Sequence, residues 1–240
     1  MKKVCTLAFI LLTSFTTIFA QASKNNPALI KVDSFAARIN REVKPQIIDV
    51  RTPEEFKTNH INRAVAVNLK EADYLDKLKQ FDKAKPVFIY AIQNFRPDVL
   101  AKELHEVGYT KVYELKGGIA AWIGKGYPYY SSRQSNISKT DYNKIINDNK
   151  IVLVEIGTKY CSLCLRAKRI VDSLQNDGNV SYKTLELELY NNPQLVAGLN
   201  EVSAVPTLLL YKAGKITWKR TGLDFNKEDI ERQIEKAEQD

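Results

Sequence analysis

Two cysteines separated by two residues, Cys161 and Cys164, are the residues of this sequence whose types and spacing point most directly to chemistry. The apolar run 151–156 predicts a buried strand and residues 161–175 predict a helix, so that the first cysteine falls where the helix begins. An unperturbed thiol titrates near pH ~8.5, and a helix N-terminus lowers this pKa by stabilising the thiolate. We therefore expect Cys161 to be the exposed nucleophile and Cys164, one turn along on the buried side, to resolve the mixed disulfide.

Three other uses of the cysteine pair compete with redox exchange. A zinc site needs about four ligands, and no second pair of Cys or His lies at a suitable spacing, since His60 and His105 both belong to the first half of the chain. A copper site would want a histidine in residues 140–240, which contain none. A purely structural disulfide stays open as an alternative, although a bridge across two residues closes almost no loop and stabilises little. Redox exchange is favoured, and we expect no metal and no other cofactor.

The remaining cysteine, Cys5, belongs to an N-terminal segment with the features of an export signal. Lys2 and Lys3 precede an apolar run over residues 4–19, and small residues follow around Ala20. We predict a signal peptide over residues 1–20 that is cleaved after Ala20. The alternative is an uncleaved anchor, because the run approaches the ~20 residues needed to span a bilayer. Both alternatives export the rest of the chain, so we expect it in a bacterial periplasm, touching a membrane only if the segment is retained.

Composition excludes several classes of protein. The 240 residues are 44% hydrophobic and 27% charged, which fits neither a disordered chain nor a protein with many membrane spans. The net charge of +8 comes from the first half, because residues 21–139 hold 20 Lys and Arg against 13 Asp and Glu, whereas residues 140–240 hold 14 against 15. The surplus is scattered and has no interleaved aromatic residues, so no nucleic-acid partner is expected.

Both halves alternate short apolar runs with helical periods, which is the pattern of an α/β protein. In the first half the pattern predicts strands at 46–50, 65–69, 87–90 and 112–115, and helices at 72–80, 96–107 and 119–123. In the second half it predicts helices at 139–147, 161–175, 192–199 and 226–238, and strands at 151–156, 181–187, 207–212 and 216–220. The segment between the halves is rich in turn-forming residues and lacks an apolar period, so we predict a linker over residues 129–137.

Four motifs of the first half together resemble the rhodanese family over residues 28–128. They are IIDVRTPEEF at 47–56, His60-Ile61, Asn68-Leu69, and KGGIAAW at 116–122 with the later Gly126-Tyr127-Pro128. The resemblance implies a three-layer α/β domain around a central parallel sheet. Family members carry a cysteine directly after the strand that corresponds to residues 86–90, and it holds a persulfide near a helix N-terminus.

The chain has Ala91 at that cysteine position, and bulky residues follow it where the family has small ones. An alanine methyl group cannot carry sulfane sulfur, so we expect the domain to lack sulfurtransferase activity. Asp49, Arg51, His60 and Trp122 match the family, and we interpret them as scaffold: a strand-end carboxylate, its ion pair, a loop histidine and a core indole. The domain is then expected to serve as a docking module.

Residues 138–240 resemble thioredoxin through the cysteine pair, the run VPTLLLYKAGK at 205–215 and Gly222. The resemblance implies an α/β domain with a mixed central sheet. It also implies that the bond before Pro206 is cis and that Pro206 lies beside the cysteine pair. The backbone of Val205 would then pair with an extended substrate peptide, and Tyr160 would stand where the family has a substrate-facing tryptophan.

Glu155 is a carboxylate inside an otherwise apolar strand, and burial of such a group raises its pKa. The family has an aspartate at this place, thought to shuttle the proton of the second cysteine. The alternative for Glu155 is a strand-end carboxylate that reaches solvent.

Taken together, the sequence predicts an exported thiol–disulfide oxidoreductase that acts on protein disulfides or dithiols and exchanges electrons with a membrane-linked redox partner. The alternative is a client-binding or redox-sensing protein without turnover. The direction of the reaction is left open, because the pair Ser162-Leu163 between the cysteines matches no familiar reduction potential.

Overall fold

The computed structural model describes residues 28–92, 95–175 and 181–239. The predicted signal peptide over residues 1–20 lies outside the described residues. Within the described part of the chain, no helix combines the length and the apolar character needed to cross a membrane.

The first half forms a five-stranded sheet in which every pair of neighbouring strands is parallel, as predicted. The strand order is β1-β6-β5-β2-β4, with β1 at Ala28–Ile30, β2 at Gln46–Asp49, β4 at Val65–Ala66, β5 at Val87–Tyr90 and β6 at Val112–Leu115. The helices of this half are α1 at Val32–Ile39, α2 at Pro53–Thr58, α3 at Tyr74–Leu78, α4 at Phe95–Glu106 and α5 at Gly118–Gly124.

A separate two-stranded ribbon closes this half of the chain. Strand β3 at Asn59–Ile61 pairs in antiparallel fashion with β7 at Tyr129–Ser131, so the segment predicted as a linker begins with a strand. The apolar pattern also missed β1, α1 and α2. Helix α2 is fixed by its cap rather than by periodicity, because Thr52 and Glu55 form a reciprocal capping box at its start.

The second half forms a four-stranded mixed sheet in the order β11-β10-β8-β9. Strands β8 and β9 run parallel, whereas β10 is antiparallel to both of its neighbours. The elements are α6 at Lys139–Asp148, β8 at Ile151–Gly157, α7 at Ser162–Gln175, β9 at Lys183–Glu188, α8 at Pro193–Leu199, β10 at Thr207–Lys212, β11 at Lys215–Thr221 and α9 at Lys227–Gln239. Strand β8 is buried almost throughout, which explains its nearly continuous apolar sequence.

The two halves share one hydrophobic core. A single cluster of buried side chains includes Phe35 and Trp122 of the first half and Tyr142, Tyr190 and Val202 of the second. Large apolar interfaces of this kind hold domains in a fixed arrangement, whereas small polar ones allow them to move. The halves therefore pack as one body.

Two glycines, Gly124 of α5 and Gly117 directly before it, allow a close approach between the halves. A Cβ atom on Gly124 would lie 2.0 Å from the carbonyl oxygen of Val202, and one on Gly117 would lie 2.2 Å from that of Ser203. Both carbonyl groups belong to the loop that precedes Pro206. The loop therefore packs directly against the first domain, and a larger residue at either glycine would clash with it.

Candidate functional site

The cysteine pair lies where strand β8 gives way to helix α7. Cys161 and Cys164 are joined by a disulfide, with their Cα atoms 5.2 Å apart. Cys161 directly precedes α7, and the backbone N–H of Cys164 donates a hydrogen bond to the Sγ of Cys161 at 3.1 Å. After reduction, an N–H group aimed at this sulfur favours its thiolate form.

The expectation that Cys161 is exposed is wrong. Only 1% of Cys161 and 3% of Cys164 is accessible to solvent. The physical reason is the arrangement of the domains, because Cys161 faces the first domain across a shared cavity of about 490 Å³. The buried position expected for Cys164 is observed.

This interdomain cavity has Cys161 on one side and Ile92, the residue after Ala91, on the other. The second domain contributes Tyr160, Cys161 and Ser162, and the first domain contributes Val50, Thr52, Glu55, Asn68, Leu69, Lys70, Ile92 and Val99. Several of these first-domain residues follow the carboxyl ends of parallel strands, the edge at which α/β sheets place their ligands. Ile92 comes directly after Ala91, which is itself fully buried and accepts a hydrogen bond from the N–H of Ile119 at 2.8 Å.

Glu155 and Cys164 line a second, smaller cavity of about 240 Å³. Burial raises the pKa of Glu155 to about 7, and the nearby carboxylate of Glu186 adds to this effect while Lys168 opposes it. Only 5% of Glu155 is exposed, which does not fit a carboxylate that simply reaches solvent. A Cβ on Gly157 would lie 3.1 Å from the Cβ of Cys164, so glycine leaves room beside this cysteine.

The two sulfur atoms therefore face different surroundings. Cys161 borders the interdomain cavity, whereas Cys164 borders the cavity that contains the titratable Glu155. Such an arrangement separates the place where a substrate can meet the nucleophile from the place where a proton can leave the resolving thiol.

The peptide bond between Val205 and Pro206 is cis, as the resemblance implies. Val205 is 1% exposed and belongs to the same buried cluster as both cysteines. The carbonyl group of Pro206 accepts a hydrogen bond from the N–H of Gly222 at 2.9 Å, which connects this loop to the end of β11.

Tyr160 contacts the first domain. Its hydroxyl group donates a hydrogen bond to the carboxylate of Glu54, and the Nζ of Lys159 lies 3.5 Å from the same carboxylate. The hydrogen bond from Tyr160 lowers the pKa of Glu54, and the charge of Lys159 adds to this. The positive charge of Lys159 is thus paired with Glu54 across the domain boundary.

Arg51 forms a second link between the domains. Arg51 and Asp49 make the ion pair that the sequence predicts, with Nη2 of Arg51 2.6 Å from Oδ2 of Asp49 and both side chains fully buried. The same guanidinium group donates a hydrogen bond from Nη1 to the hydroxyl group of Tyr190 at 2.8 Å. That hydroxyl in turn donates to Glu55 at 3.3 Å. Sequence reasoning missed Tyr190, since nothing in the residues around it marks a partner 139 positions away.

Within the described residues, no group of three or more His, Cys, Asp or Glu side chains is arranged to hold a metal ion.

Comparison with family models finds a match for each half of the chain. The model of the rhodanese-like domain family matches residues 31–125, and the thioredoxin family model matches residues 134–236. The protein YqhL of Bacillus subtilis, described as uncharacterized, is 37% identical over 82 residues, which cover 34% of this chain and 64% of YqhL. The chain thus spans slightly less than two thirds of that relative.

One further relative and one solved structure are each similar to a part of the chain. The thiosulfate sulfurtransferase GlpE of Coxiella burnetii is 34% identical over 76 residues, which cover 32% of this chain and 69% of GlpE. A solved structure of an N21Q mutant thioredoxin from Halobacterium salinarum is 22% identical and covers 44% of this chain and 89% of its own, with a TM-score of 0.38.

A thioredoxin domain with a disulfide between Cys161 and Cys164 supports a function of the thiol–disulfide oxidoreductase type. The order of the two matched segments agrees with the order of the two sheets in the fold. The chain therefore consists of a rhodanese-like domain at residues 31–125 followed by a thioredoxin domain at residues 134–236.

Proposed function

We propose that the chain is an exported enzyme that exchanges disulfides with its substrates through Cys161 and Cys164. The observation that carries the proposal is the position of Cys161, which precedes helix α7 and accepts a hydrogen bond from the N–H of Cys164. Reduction of the disulfide would leave a thiolate that is already supported by this donor. Cys161 attacks the substrate disulfide, and Cys164 then closes the intramolecular bond.

Glu155 accepts the proton of Cys164 in this proposal. The second cavity contains both groups, and the pKa of about 7 lets the carboxyl group bind and release a proton near neutral pH. Val205 and Pro206 form part of the substrate-binding region in this proposal, because Val205 packs in the same buried cluster as the two cysteines. Tyr160 forms part of the wall of the substrate cavity.

The rhodanese-like domain acts without sulfur transfer of its own. The relative GlpE is named a thiosulfate sulfurtransferase, but this chain has Ala91 where the resemblance requires the cysteine that carries sulfur. The domain instead covers the cysteine pair and builds most of the interdomain cavity. The sequence led us to expect a docking module. In this proposal the domain instead controls which substrates reach Cys161.

The export segment and the compartment are part of the same proposal. An exported enzyme of this type receives or delivers electrons through a membrane-linked partner, and protein disulfides or dithiols are the substrates that the sequence predicts. N-terminal sequencing of the chain from a periplasmic fraction is expected to begin at Gln21. Retention of Met1 in a membrane fraction would instead support the uncleaved anchor.

A turnover assay distinguishes an enzyme from a client-binding or redox-sensing protein. The full chain is incubated with a dithiol reductant and either insulin or a small disulfide, and the release of thiols is followed over many equivalents. We expect catalytic release that requires Cys161. If the chain is oxidised and reduced once but turns over none of these disulfides, the enzymatic proposal fails and sensing remains.

A further inference from the structure

The substrate of the cysteine pair must reach a nucleophile that is almost completely covered. Cys161 is 1% exposed, and in this structure it borders solvent-accessible space at the interdomain cavity. Disulfide exchange needs the attacking sulfur to approach the substrate sulfur along the axis of the S–S bond. A folded protein with a recessed disulfide cannot present it inside such a cavity, whereas a small molecule can.

The domain that covers Cys161 is held firmly. Its α5 lies so close to the loop before Pro206 that a Cβ on Gly124 would clash with Val202. The buried guanidinium of Arg51 is bound to Tyr190 across the same interface. Separation of the domains would therefore expose a shared apolar core and leave a buried charge without one of its partners. The cavity is a lasting feature of the protein, not a transient gap.

The size of the cavity suits a low-molecular-weight ligand. Its volume is about 490 Å³, and pockets for small ligands span roughly 300–1,000 Å³. Its wall combines apolar side chains with a few polar groups, such as Ser162 and Thr52. This is the usual make-up of a site that holds a small molecule in a fixed orientation.

The charges on the wall favour an anionic ligand. Lys70 lines the cavity, is exposed, and takes part in no ion pair among the residues that the structure describes. Glu55 also lines the cavity, but its carboxylate accepts hydrogen bonds from Thr52 and Tyr190. The neighbouring Glu54 is paired with Lys159. Of the two charged residues among the described residues that line the cavity, Glu55 is only 1% exposed, whereas Lys70 is exposed, so the ammonium group of Lys70 is the lining charge that a ligand can reach.

We propose that the interdomain cavity is the substrate site of Cys161 and that it takes low-molecular-weight disulfides that carry carboxylate groups. The proposal rests on the exchange function proposed above and replaces the protein substrates expected from the sequence with small disulfides. The Cys161 thiolate attacks one sulfur of R–S–S–R, the substrate S–S bond breaks, and RS⁻ leaves. Cys164 gives its proton to Glu155 and attacks the Sγ of Cys161, which forms the intramolecular disulfide and releases the second RS⁻. Two electrons pass to the substrate, and a dithiol reductant returns them to the pair.

A charge series of small disulfides tests the proposal in a single turnover. The full chain carrying Cys5→Ser is reduced with dithiothreitol, freed of reductant, and mixed with 3,3′-dithiodipropionate, 2-hydroxyethyl disulfide, cystamine or insulin. Formation of the Cys161–Cys164 disulfide is followed by acid quench and mass spectrometry. Each rate is divided by that of 2-mercaptoethanol with the same disulfide, which removes differences in intrinsic reactivity.

We expect the anionic dithiodipropionate to react about fivefold faster than the neutral disulfide, the size of effect that one partly exposed ion pair supplies. The cationic cystamine should be slowest of the three, and insulin slower than dithiodipropionate. Lys70→Gln should abolish the preference for the anion and leave the neutral disulfide unaffected. Lys111→Gln is the matched control, because Lys111 is exposed and lies outside the cavity.

The outcomes separate the two proposals. Equal normalised rates for the three small disulfides, or a faster reaction with insulin, would overturn the assignment of the cavity while leaving disulfide exchange intact. A preference for the anion that survives Lys70→Gln would also overturn it. If none of the four disulfides oxidises the reduced pair, the exchange function itself fails.

Discussion

The Nη1 atom of Arg51, in the rhodanese-like domain, donates a hydrogen bond to the hydroxyl oxygen of Tyr190, in the thioredoxin domain, at 2.8 Å. Both side chains are buried, and the guanidinium also lies over the Tyr190 ring with its central carbon 5.6 Å from the ring centroid. Asp49 ends strand β2 and Arg51 lies two residues later, and the sequence predicts these two residues to form an ion pair of the scaffold. In this chain the same ion pair helps to hold the two domains together.

Removal of the Tyr190 hydroxyl group tests the energy of this link. Tyr190→Phe keeps the ring and deletes two hydrogen bonds, the one from Arg51 and the longer one to Glu55, so we expect the free energy of unfolding to fall by about 2 kcal/mol or more. Urea denaturation measures the change. Tyr130→Phe is the matched control, because Tyr130 is 47% exposed, and it should change stability by less than about 0.5 kcal/mol. Equal effects of the two substitutions would show that the Arg51–Tyr190 bond adds nothing.

Gly124→Ala tests whether the packing of α5 keeps Cys161 covered. The added Cβ would meet the Val202 carbonyl oxygen at 2.0 Å, and overpacking of this kind costs about 1–3 kcal/mol. We expect lower stability together with faster alkylation of reduced Cys161 by iodoacetamide, since the loop before Pro206 must move away from the first domain.

The control for this substitution is another helical glycine. A Cβ on Gly198 meets nothing within 4 Å, so Gly198→Ala should keep or raise stability, by up to about 1 kcal/mol from helix propensity. Its alkylation rate should match that of the unchanged chain. Unchanged alkylation in Gly124→Ala would mean that α5 does not control access to Cys161.

Substitution of each cysteine separates the nucleophile from the resolving thiol. Cys161→Ser removes the attacking sulfur and should abolish exchange. Cys164→Ser leaves an attacking thiolate with no internal partner, so a mixed disulfide with the substrate should accumulate. Mass spectrometry of the quenched reaction gives the mass of the trapped adduct. Adducts on Cys164 in the Cys161→Ser variant, formed at a similar rate, would reverse the assigned roles.

Local sequence features were sufficient to predict the cysteine pair and the elements that hold it. The apolar run of β8 and the helical period of α7 each specify their own conformation, whereas the cis bond before Pro206 was expected from the resemblance to thioredoxin. Glu155 could also be identified as a candidate from the sequence alone, because a carboxylate inside an apolar strand is unusual.

The burial of Cys161 could not be predicted in this way, because it depends on which surface of another domain covers it. Contacts such as Arg51 with Tyr190 join residues far apart in sequence and leave no periodic pattern. Short elements were missed for a related reason. The ribbon of Asn59–Ile61 with Tyr129–Ser131 has too few residues to show an alternation of apolar and polar positions.

The Ala91→Cys substitution tests whether the rhodanese-like domain has lost more than its nucleophile. Ala91 is fully buried and Ile92 is 3% exposed, so a thiol at position 91 would lie in a tightly packed environment. We expect no transfer of sulfur from thiosulfate to cyanide, as measured by thiocyanate formation beside an active thiosulfate sulfurtransferase. Recovery of thiocyanate formation in this variant would show that the bulky residues after Ala91 are compatible with sulfur transfer.

The pKa of Glu155 predicts a specific dependence of stability on pH. Burial raises this pKa from 4.5 to about 7, so the folded chain binds one more proton than the unfolded chain between these values. Stability due to this group is therefore retained below pH ~4.5, falls as the pH rises, and levels off above pH ~7. Across this pH range the free energy of unfolding falls by about 3 kcal/mol in total.

Glu155→Gln removes this titration. The variant should match the unchanged chain at pH 4 and exceed its free energy of unfolding at pH 8 by an amount on the order of 3 kcal/mol. Urea denaturation of the oxidised proteins at both pH values measures the difference, and Glu228→Gln, on the exposed first turn of α9, is the control. In the reduced protein the same variant should slow resolution of the mixed disulfide by Cys164 and leave the attack by Cys161 unchanged. Greater stability without slower resolution would leave Glu155 as a buried carboxyl group that takes no part in proton transfer.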